Sequence, residues 1–468
     1  MKKLFSLFLS LILAGVCAFS LLACDNGNPP DTGKEEPPVI EPPVVDPPDP
    51  PVVDNESFLY RAVEEDGKTV SYAVQGAKSE DTAKLTIPSA YNGLPVTAID
   101  GGAFDSCGWL TSVTIPNSIK SIGANAFARC ENLSSVFIDS IEAWCNISFE
   151  SMASNPLYFA GELYVSGSIV TNLVIPDSVT QIPDYAFYEC KNIKSVTTGK
   201  GVKEIGESAF YNCEQLEKIV LNGNIESFGL LAFGHCEALT DLQIGNGVKS
   251  LGDYTFYECS YLKEVTIPSS VKTIGESCFS MCSRLDKINF NEGLEYIGDC
   301  AFVGCASLTE FIMPDSVTEI GFGILMFVGN FMFDSGVADG QNGITKVGIS
   351  NSLTVISQFS FSGCFMPTVA IGKSVEVIDY SAFYDCSALE SVIISKSVKQ
   401  IVSYAFYHCY FLNTVYYEGS EAEFKDIKIS KSGNDILNAD IYYYSESKPA
   451  DGGKFWHYAP DGVTPEKW

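Results

Sequence analysis

A Phe-x-x-Cys motif that recurs along the chain is the feature that most constrains its fold. The motif occurs eleven times, and its phenylalanines are 22 or 23 residues apart except across two gaps of 60 and 59 residues. They are Phe104, Phe127, Phe187, Phe210, Phe233, Phe256, Phe279, Phe302, Phe361, Phe383 and Phe406. A repeat this short cannot bury its own apolar side, so successive repeats must stack and share one core. The spacing therefore predicts a solenoid.

One unit, from Leu110 to Cys130, shows how each coil is built. Its Val-Thr-Ile segment alternates apolar and polar side chains, as a half-buried strand does, and a proline ends it. Two isoleucines follow, and the Ala-Phe-x-x-Cys segment then has the spacing of a helical or 3₁₀ turn. We predict a β-rich solenoid of stacked ~23-residue coils with short strands and short helical or 3₁₀ turns.

These segments recur in register as Leu-x-x-Val-x-Ile-Pro, Ile-Gly and Ala-Phe-x-x-Cys. They closely resemble the BspA-like leucine-rich repeats of bacterial surface proteins, and the resemblance covers about residues 58–445. It implies a leucine-rich-repeat fold and exposure at the cell surface. It also implies an adhesin-like role, because some members of that family bind host matrix proteins or other bacteria.

Breaks in the period divide the chain. We predict an N-terminal cap over 58–102, a solenoid over 103–417 and a C-terminal cap and tail over 418–468. Within the solenoid we predict an insert at 139–172 and an irregular loop at 321–343. The insert and the terminal segment share the same order of acidic, aromatic and isoleucine positions, so we predict that they are copies of one module.

The first 23 residues combine a basic start, an apolar run and a small residue before Cys24, a pattern typical of secretory signal peptides. The Leu-Leu-Ala-Cys sequence that ends at Cys24 resembles a lipobox, which implies cleavage before Cys24 and lipidation of its sulfur. An uncleaved membrane anchor is the alternative, because the run is nearly long enough to span. Residues 24–57 are acidic and rich in proline, which predicts a disordered, extended linker.

The charge of the chain constrains its partners. It carries 29 Lys and Arg against 58 Asp and Glu, a net charge of −29, and no basic stripe interrupts this balance. Nucleic-acid binding is disfavoured, because contacts to phosphates need clustered basic side chains. We expect membrane association through the lipid anchor only, on the extracellular face of the bacterial membrane.

The cysteines suggest disulfides in an exported protein, but their spacing favours another role. Stacked coils lie about 4.8 Å apart with parallel Cα–Cβ bonds, whereas a disulfide needs closer and differently oriented Cβ atoms. We therefore predict that the ladder cysteines are buried thiols. Cys278, Cys282, Cys300 and Cys305 fall on adjacent coils; we predict no metal there, and a Cys278–Cys300 disulfide stays open.

Catalytic signals are weak. The chain has three histidines, and two of them, His235 and His408, are separated by six or more coils, too far apart to share a metal or a proton. No phosphate-binding glycine loop or calcium-loop spacing appears. We predict that the protein is not an enzyme and needs no cofactor.

The residues that flank the central position of each long strand are predicted to point outward and to form a candidate binding face. This face is predicted to contain Phe137, Lys218, Val220, Asp241, Gln243, Glu264, Lys287, Asn289, Glu310, Ile312, Ile393 and Tyr416. Exposed apolar members would anchor a protein partner, although they are also scattered enough to form no single patch. Aromatic residues near the C-terminus suggest a cap over the core or, alternatively, a carbohydrate-stacking site.

The sequence thus predicts a lipid-anchored surface protein that mediates protein–protein or host-matrix interaction. The expected partners are host matrix proteins, other surface proteins or envelope glycans. Two alternatives stay open: a structural envelope spacer without a specific ligand, and a glycan-binding or cell-wall-modifying protein.

Overall fold

A computed structural model of the chain describes residues 57–80, 82–326, 343–450 and 452–468. The predicted signal peptide, lipidated cysteine and linker lie outside these residues, except for the last residue of the linker, and so does most of the predicted irregular loop. The described residues form a solenoid of stacked coils, as the repeat predicts. No helix among the described residues has the length and apolar character needed to cross a membrane.

The first described segment covers the open end of the coil stack. Strands β1 (Phe58–Glu65) and β2 (Lys68–Ala77) form an antiparallel hairpin, and β2 pairs in parallel with β5 (Leu94–Ile99). The short β4 (Ala90–Tyr91) folds back on β5. Phe58 is buried and its ring lies 6.4 Å from Phe104, so the hairpin covers the first phenylalanine of the repeat.

Each regular coil contributes one strand to a parallel column, which we call the long-strand sheet. Its members are β3 (Lys84–Thr86), β6 (Ser112–Ile115), β8 (Ser135–Ile138), β10 (Glu162–Val165), β12 (Asn172–Val174), β14 (Ser195–Thr197), β16 (Lys218–Leu221), β18 (Asp241–Ile244), β20 (Glu264–Ile267), β22 (Lys287–Phe290), β24 (Glu310–Ile312), β26 (Lys346–Gly348), β28 (Thr368–Ala370), β30 (Ser391–Ile394), β32 (Thr414–Tyr417) and β34 (Asp440–Tyr444). Equivalent residues pair across coils, for example Ser112 with Ser135 and Val113 with Val136.

A second parallel column, the short-strand sheet, continues from β5. Its members are β7 (Ser121–Ile122), β9 (Ser148–Phe149), β13 (Gln181–Ile182), β15 (Glu204–Ile205), β17 (Ser227–Phe228), β19 (Ser250–Leu251), β21 (Thr273–Ile274), β23 (Tyr296–Ile297), β25 (Glu319–Ile320), β27 (Val355–Ile356), β29 (Val377–Ile378), β31 (Gln400–Ile401) and β33 (Lys428–Ile429). Hairpin strand β11 (Ser168–Ile169) pairs with β10, and β35 (Phe455–Tyr458) and β36 (Pro465–Lys467) extend the long-strand sheet beyond β34.

The insert and the terminal segment have the same element order. Helix α1 (Ile141–Trp144) precedes β9, and helix α3 (Glu421–Lys425) precedes β33. Each helix begins after a serine, Ser140 or Ser420, whose hydroxyl accepts a backbone N–H from the first turn. The other helical elements of the described residues are α2 (Leu157–Ala160) and two 3₁₀ turns, Met152–Ser154 and Asp435–Asn438.

The repeated phenylalanines join the coils on the third side of the solenoid, which we call the turn column. The Phe210 ring stacks on those of Phe187 and Phe233, with centroids 5.0 and 4.8 Å away. Its backbone N–H donates to Ala232 O in the next coil at 2.8 Å. Each phenylalanine therefore contributes both apolar burial and an inter-coil hydrogen bond.

The turns that carry these phenylalanines contain hydrogen bonds of 3₁₀ type but are not regular helices. In one coil the N–H of Cys259 donates to Phe256 O at 3.3 Å, three residues back. Tyr254 and Glu258 on either side have φ of 54° and 57°, in the left-handed region. Because a left-handed residue cannot continue a right-handed helix, each turn ends after a few residues.

Buried thiols complete the turn column. The thiol of Cys236 donates to the carbonyl of Phe210 at 3.2 Å, and most of the ladder cysteines repeat this contact with the preceding coil. All 14 cysteines of the described residues are free, Cys278 and Cys300 included, and every one except the partly exposed Cys107 is buried. Burial raises the pKa of the Cys190 thiol to about 12, so it stays protonated at neutral pH.

We predict that replacing a stacked phenylalanine is severely destabilising. Phe233→Ala removes a fully buried ring and should lower the free energy of unfolding by about 3–5 kcal/mol, as measured by denaturant unfolding. Phe411→Ala is the matched control, because that side chain is 64% exposed, and it should cost about 0.5 kcal/mol or less. Equal losses in the two variants would show that the ring stack does not hold the coils together.

We also predict that the folded protein resists thiol modification. In a fragment beginning at residue 58, only Cys107 should react quickly at pH 8 with a thiol-specific reagent, because the other 13 thiols are buried. The same fragment unfolded in urea should react at all 14 cysteines, which a colorimetric titration would count. Several fast-reacting thiols in the folded state would contradict the buried ladder.

Candidate binding surface

The side of the long-strand sheet that points away from the core is the outer strand face. Burial alternates along its strands: in β20, Glu264 and Thr266 are exposed while Val265 and Ile267 are buried. The structure places the predicted binding residues on this face, but it does not leave all of them accessible to a partner.

Charged residues of the outer strand face are already paired with each other. Lys218 lies 2.6 Å from Asp241, and Lys287 lies 2.8 Å from Glu264 on the neighbouring strand. The hydrogen bond from Lys218 lowers the pKa of Asp241. Exposed pairs of this kind contribute only about 0–1 kcal/mol each, but a partner would have to break them to use their charges.

The other polar members join the same network. Asn289 donates to Glu264 at 2.7 Å and to Thr266 at 3.2 Å. Gln243 donates to Asp241 at 3.1 Å, and the Lys346 ammonium lies 3.3 Å from Glu310. The polar side chains in the central part of the face therefore already form hydrogen bonds and ion pairs with one another.

The predicted apolar anchors of the face differ in exposure. Phe137 is half-buried because its ring stacks on Tyr164 of the next strand, with centroids 4.7 Å apart. Val220 is also half-buried, whereas Ile312 is 43% exposed. These three residues are separated by several coils and do not form one patch.

The prediction that Ile393 and Tyr416 are exposed anchors is wrong. Both are buried on the outer strand face, beneath Trp456 of β35, whose ring centroid lies 5.4 Å from that of Tyr416. The Trp456 indole N–H donates to Tyr417 O at 2.9 Å. The physical reason is that the chain beyond β34 adds a strand and lays this large side chain across the face.

The remaining C-terminal aromatics pack on both sides of the sheet. Tyr443 contacts the main core, whereas Tyr442, Tyr444 and Tyr458 surround Trp456 on the outer face. Lys467 of β36 lies 4.2 Å from the centre of the Tyr442 ring, a cation–π contact. These rings cover apolar surface of the protein itself, which accounts for their concentration near the C-terminus.

A different group of aromatic side chains projects from the turn column of the last coils. This turn-face aromatic cluster consists of the contacting rings of Tyr380, Tyr384, Tyr404, Tyr407, His408 and Tyr410, together with the exposed Phe411, which follows Tyr410 in the chain. His408 stacks between Tyr407 and Tyr410, with centroids 4.0 and 5.1 Å away. Tyr404 lies 5.6 Å from Tyr380 on the preceding coil and 5.4 Å from Tyr407.

The turn-face aromatic cluster includes two strongly exposed side chains on a turn of defined conformation. Tyr410 is 70% exposed and Phe411 is 64% exposed, although both are large aromatic side chains. His408 has a φ of 62°, so the turn that carries the cluster is held in the left-handed conformation shared by the other coils. Burial and the neighbouring Asp385 raise the pKa of Tyr384, so its hydroxyl remains a hydrogen-bond donor.

Sequence reasoning missed this cluster, but a signal for it exists. A tyrosine directly follows the repeat phenylalanine in five coils, at Tyr188, Tyr211, Tyr257, Tyr384 and Tyr407. Because equivalent residues of successive coils lie side by side, this column predicts a row of rings along the turn side.

The three histidines lie in separate parts of the solenoid. In the part of the chain that the structure describes, no three His, Cys, Asp or Glu side chains are placed to hold a metal ion. His235 pairs with Glu258 at 2.8 Å, and His457 stacks on Trp468, each in its own part of the solenoid.

Solved structures of several bacterial proteins match this chain, and three examples follow. A leucine-rich repeat protein from Bacteroides ovatus is 21% identical with a TM-score of 0.47, covering 84% of this chain and 99% of that one. A leucine rich cell surface protein from Faecalibacterium prausnitzii is 22% identical with a TM-score of 0.41, covering 81% and 98%. The pneumococcal vaccine antigen PcpA is 18% identical with a TM-score of 0.41, covering 84% and 93%.

No curated protein sequence gives a significant match. The family profile of the BspA type leucine rich repeat region, in contrast, matches in six copies. Its matches span residues 78–157, 161–246, 204–327 and 338–436, which is well over half of the chain. The repeat pattern, the stacked coils and this match together show that the chain belongs to the BspA-type leucine-rich repeat family.

Proposed function

We propose that this protein is a lipid-anchored bacterial surface protein that binds a protein partner in an adhesin-like manner through the turn-face aromatic cluster. The single observation that carries the proposal is the exposure of Tyr410 and Phe411 beside other aromatic rings. Exposed aromatic side chains that adjoin one another are typical of interaction sites, because their burial by a partner is strongly favourable.

The chemistry of the cluster suits protein recognition. Tyrosine rings supply a large contact area and lose little conformational entropy on binding, and each hydroxyl can form one directed hydrogen bond. The Tyr407 ring contacts those of Tyr404 and His408, so part of the surface is arranged before a partner arrives. The outer strand face is the weaker candidate, since its charges are paired and two of its predicted anchors are covered.

The proposed location rests on the sequence before the solenoid. A signal-peptide pattern ends at Cys24, and an acidic proline-rich segment separates Cys24 from the first strand. A lipid on Cys24 and an extended linker would hold the solenoid at a distance from the membrane, where its turn side meets other surfaces.

The paired charges of the outer strand face favour a second candidate function for the protein, a structural envelope spacer without a specific ligand. The two functions differ in one respect that can be measured. A binding protein retains a partner from host matrix or surface material reproducibly, whereas a spacer retains none.

The test is a binding screen of the fragment 58–468 against immobilised matrix proteins and glycans. We expect saturable binding to at least one protein, and we expect the double variant Tyr410→Ser/Phe411→Ser to weaken it by about thirtyfold or more, the effect of losing an interface hot spot. Both side chains are exposed, so the thermal unfolding of the variant should match that of the parent.

The matched control for this experiment is Ile312→Ser, which removes a 43% exposed side chain from the outer strand face. Binding that falls in the control and not in the double variant would move the site to the outer strand face. Absence of binding by the parent fragment to any surface would favour the spacer.

A further inference from the structure

The short-strand sheet skips one coil. Most coils of the solenoid contribute a strand to both columns, but the coil that contains β10 does not. After β10 the chain turns back through hairpin strand β11 and enters β12, the next long strand, directly. The ladder is also interrupted between β17 and β19 and between β25 and β27, but there each coil still supplies its short strand. Between β9 and β13 one short strand is missing altogether, and a cleft lined by residues of both strands lies there instead.

Backbone groups on both sides of this gap lack the partners that their equivalents have. In the preceding coil, Lys120 O and Ile122 O accept the N–H groups of Ser148 and Glu150 at 2.9 and 3.2 Å. By the same register, Ile147 O and Phe149 O face the gap, and within the described residues they accept no hydrogen bond.

On the far side of the gap, the backbone N–H of Thr180 also faces the gap. Its equivalent in the next coil, Lys203 N–H, donates to Thr180 O at 2.8 Å. Among the described residues the Thr180 N–H has no acceptor. Two acceptors on β9 and one donor beside β13 are the pattern that an added parallel strand would satisfy.

The residue after β13 supports this interpretation independently. In the coils that follow, from Gly206 to Gly321, this position is glycine, but later coils carry Asp379 and Val402 there. In these paired coils the residue donates its N–H to the preceding coil, as Gly206 does to Ile182 O at 2.8 Å and Val402 does to Ile378 O at 2.9 Å. After β13 the residue is Pro183, which has no N–H to donate across the gap. A proline fits here because no short strand of a preceding coil pairs with β13.

The gap opens as a cleft of about 370 Å³. Cys145, Ile147, Phe149 and Val179 line it, but their side chains are buried, and most of the surface that the cleft exposes is polar. The charged residues that line it, Glu142 and Asp184, are both acidic. An occupant should therefore form polar contacts through its main chain and place a basic side chain near these carboxylates.

We propose that this cleft is a binding site for an extended, basic peptide segment of a partner protein, which adds to the short-strand sheet as a parallel strand between β9 and β13. The regular coils show what such a segment looks like. At this position they carry sequences such as Val-Lys-Glu-Ile-Gly, residues 202–206, with the isoleucine buried and the glutamate exposed. A basic residue in place of the exposed glutamate would face the Glu142 and Asp184 carboxylates.

The site differs from the turn-face aromatic cluster in position and in chemistry. It recognises a main chain through hydrogen bonds, whereas the cluster offers aromatic rings. Substitutions at Tyr410 and Phe411 should leave peptide binding unchanged, so the failure of one proposal does not decide the other.

The experiment uses the full-length chain in detergent and a fluorescently labelled peptide, Ser-Val-Lys-Lys-Ile-Gly-Lys, with blocked ends. Fluorescence anisotropy should show saturable binding. Replacing the peptide glycine by sarcosine removes the N–H that would donate to Phe149 O, and this should weaken binding by about tenfold. This comparison leaves the protein unaltered, so it does not depend on how a variant folds.

A protein variant tests the location of the site. Ser148→Arg places a long cationic side chain on the exposed edge of β9 and should reduce peptide affinity at least about tenfold. Gln400→Arg is the matched control, because Gln400 is the equivalent exposed residue of β31, which pairs with a strand on each side, and it should bind like the parent. No saturable binding by the parent at peptide concentrations of about 1 mM, equal affinity for the sarcosine peptide, or unchanged binding by Ser148→Arg would each overturn the proposal.

Discussion

The contact between one repeat phenylalanine and the next is the interaction on which the rest of the structure depends. Phe210 illustrates it, because its ring stacks on the rings of both neighbouring phenylalanines and its N–H donates to the next coil. Its carbonyl accepts a hydrogen bond from the thiol of Cys236. No single coil has a core without this contact, so stability is a property of neighbouring coils rather than of one unit. The same stacking makes the surface regular, because any residue type that recurs in the repeat becomes a column along the solenoid.

The fold could be predicted from the sequence because the motif that defines each coil recurs at a nearly constant spacing. The spacing of Phe-x-x-Cys predicted stacked coils and buried thiols, and the structure has both. The left-handed residues that end each turn were not predicted, because residues as different as Tyr254 and Glu258 occupy those positions. The role of the repeated glycine also differs from a simple turn: at Gly229 it permits close approach of the preceding coil.

The candidate sites were harder to predict, because accessibility depends on parts of the chain that do not follow the period. Tyr416 occupies a strand position whose side chain points away from the core, but Trp456, which lies outside the repeat, covers it. Ion pairs such as Lys218–Asp241 form across coils and are visible only once the register is known. The two candidate sites that the structure offers have different origins. The cluster of exposed rings lies on a regular column of the repeat, whereas the cleft lies where one coil lacks a short strand.

Amide hydrogen exchange, resolved by residue, is the most direct test of the central claim that each coil is held by its neighbour through the turn column. The Phe210 N–H donates to the next coil and should exchange at least about 10³-fold more slowly than in an unfolded peptide. The Thr180 N–H faces the coil without a short strand and should exchange at nearly the rate of an unfolded peptide. Fast exchange at Phe210, or strong protection at Thr180, would contradict the account.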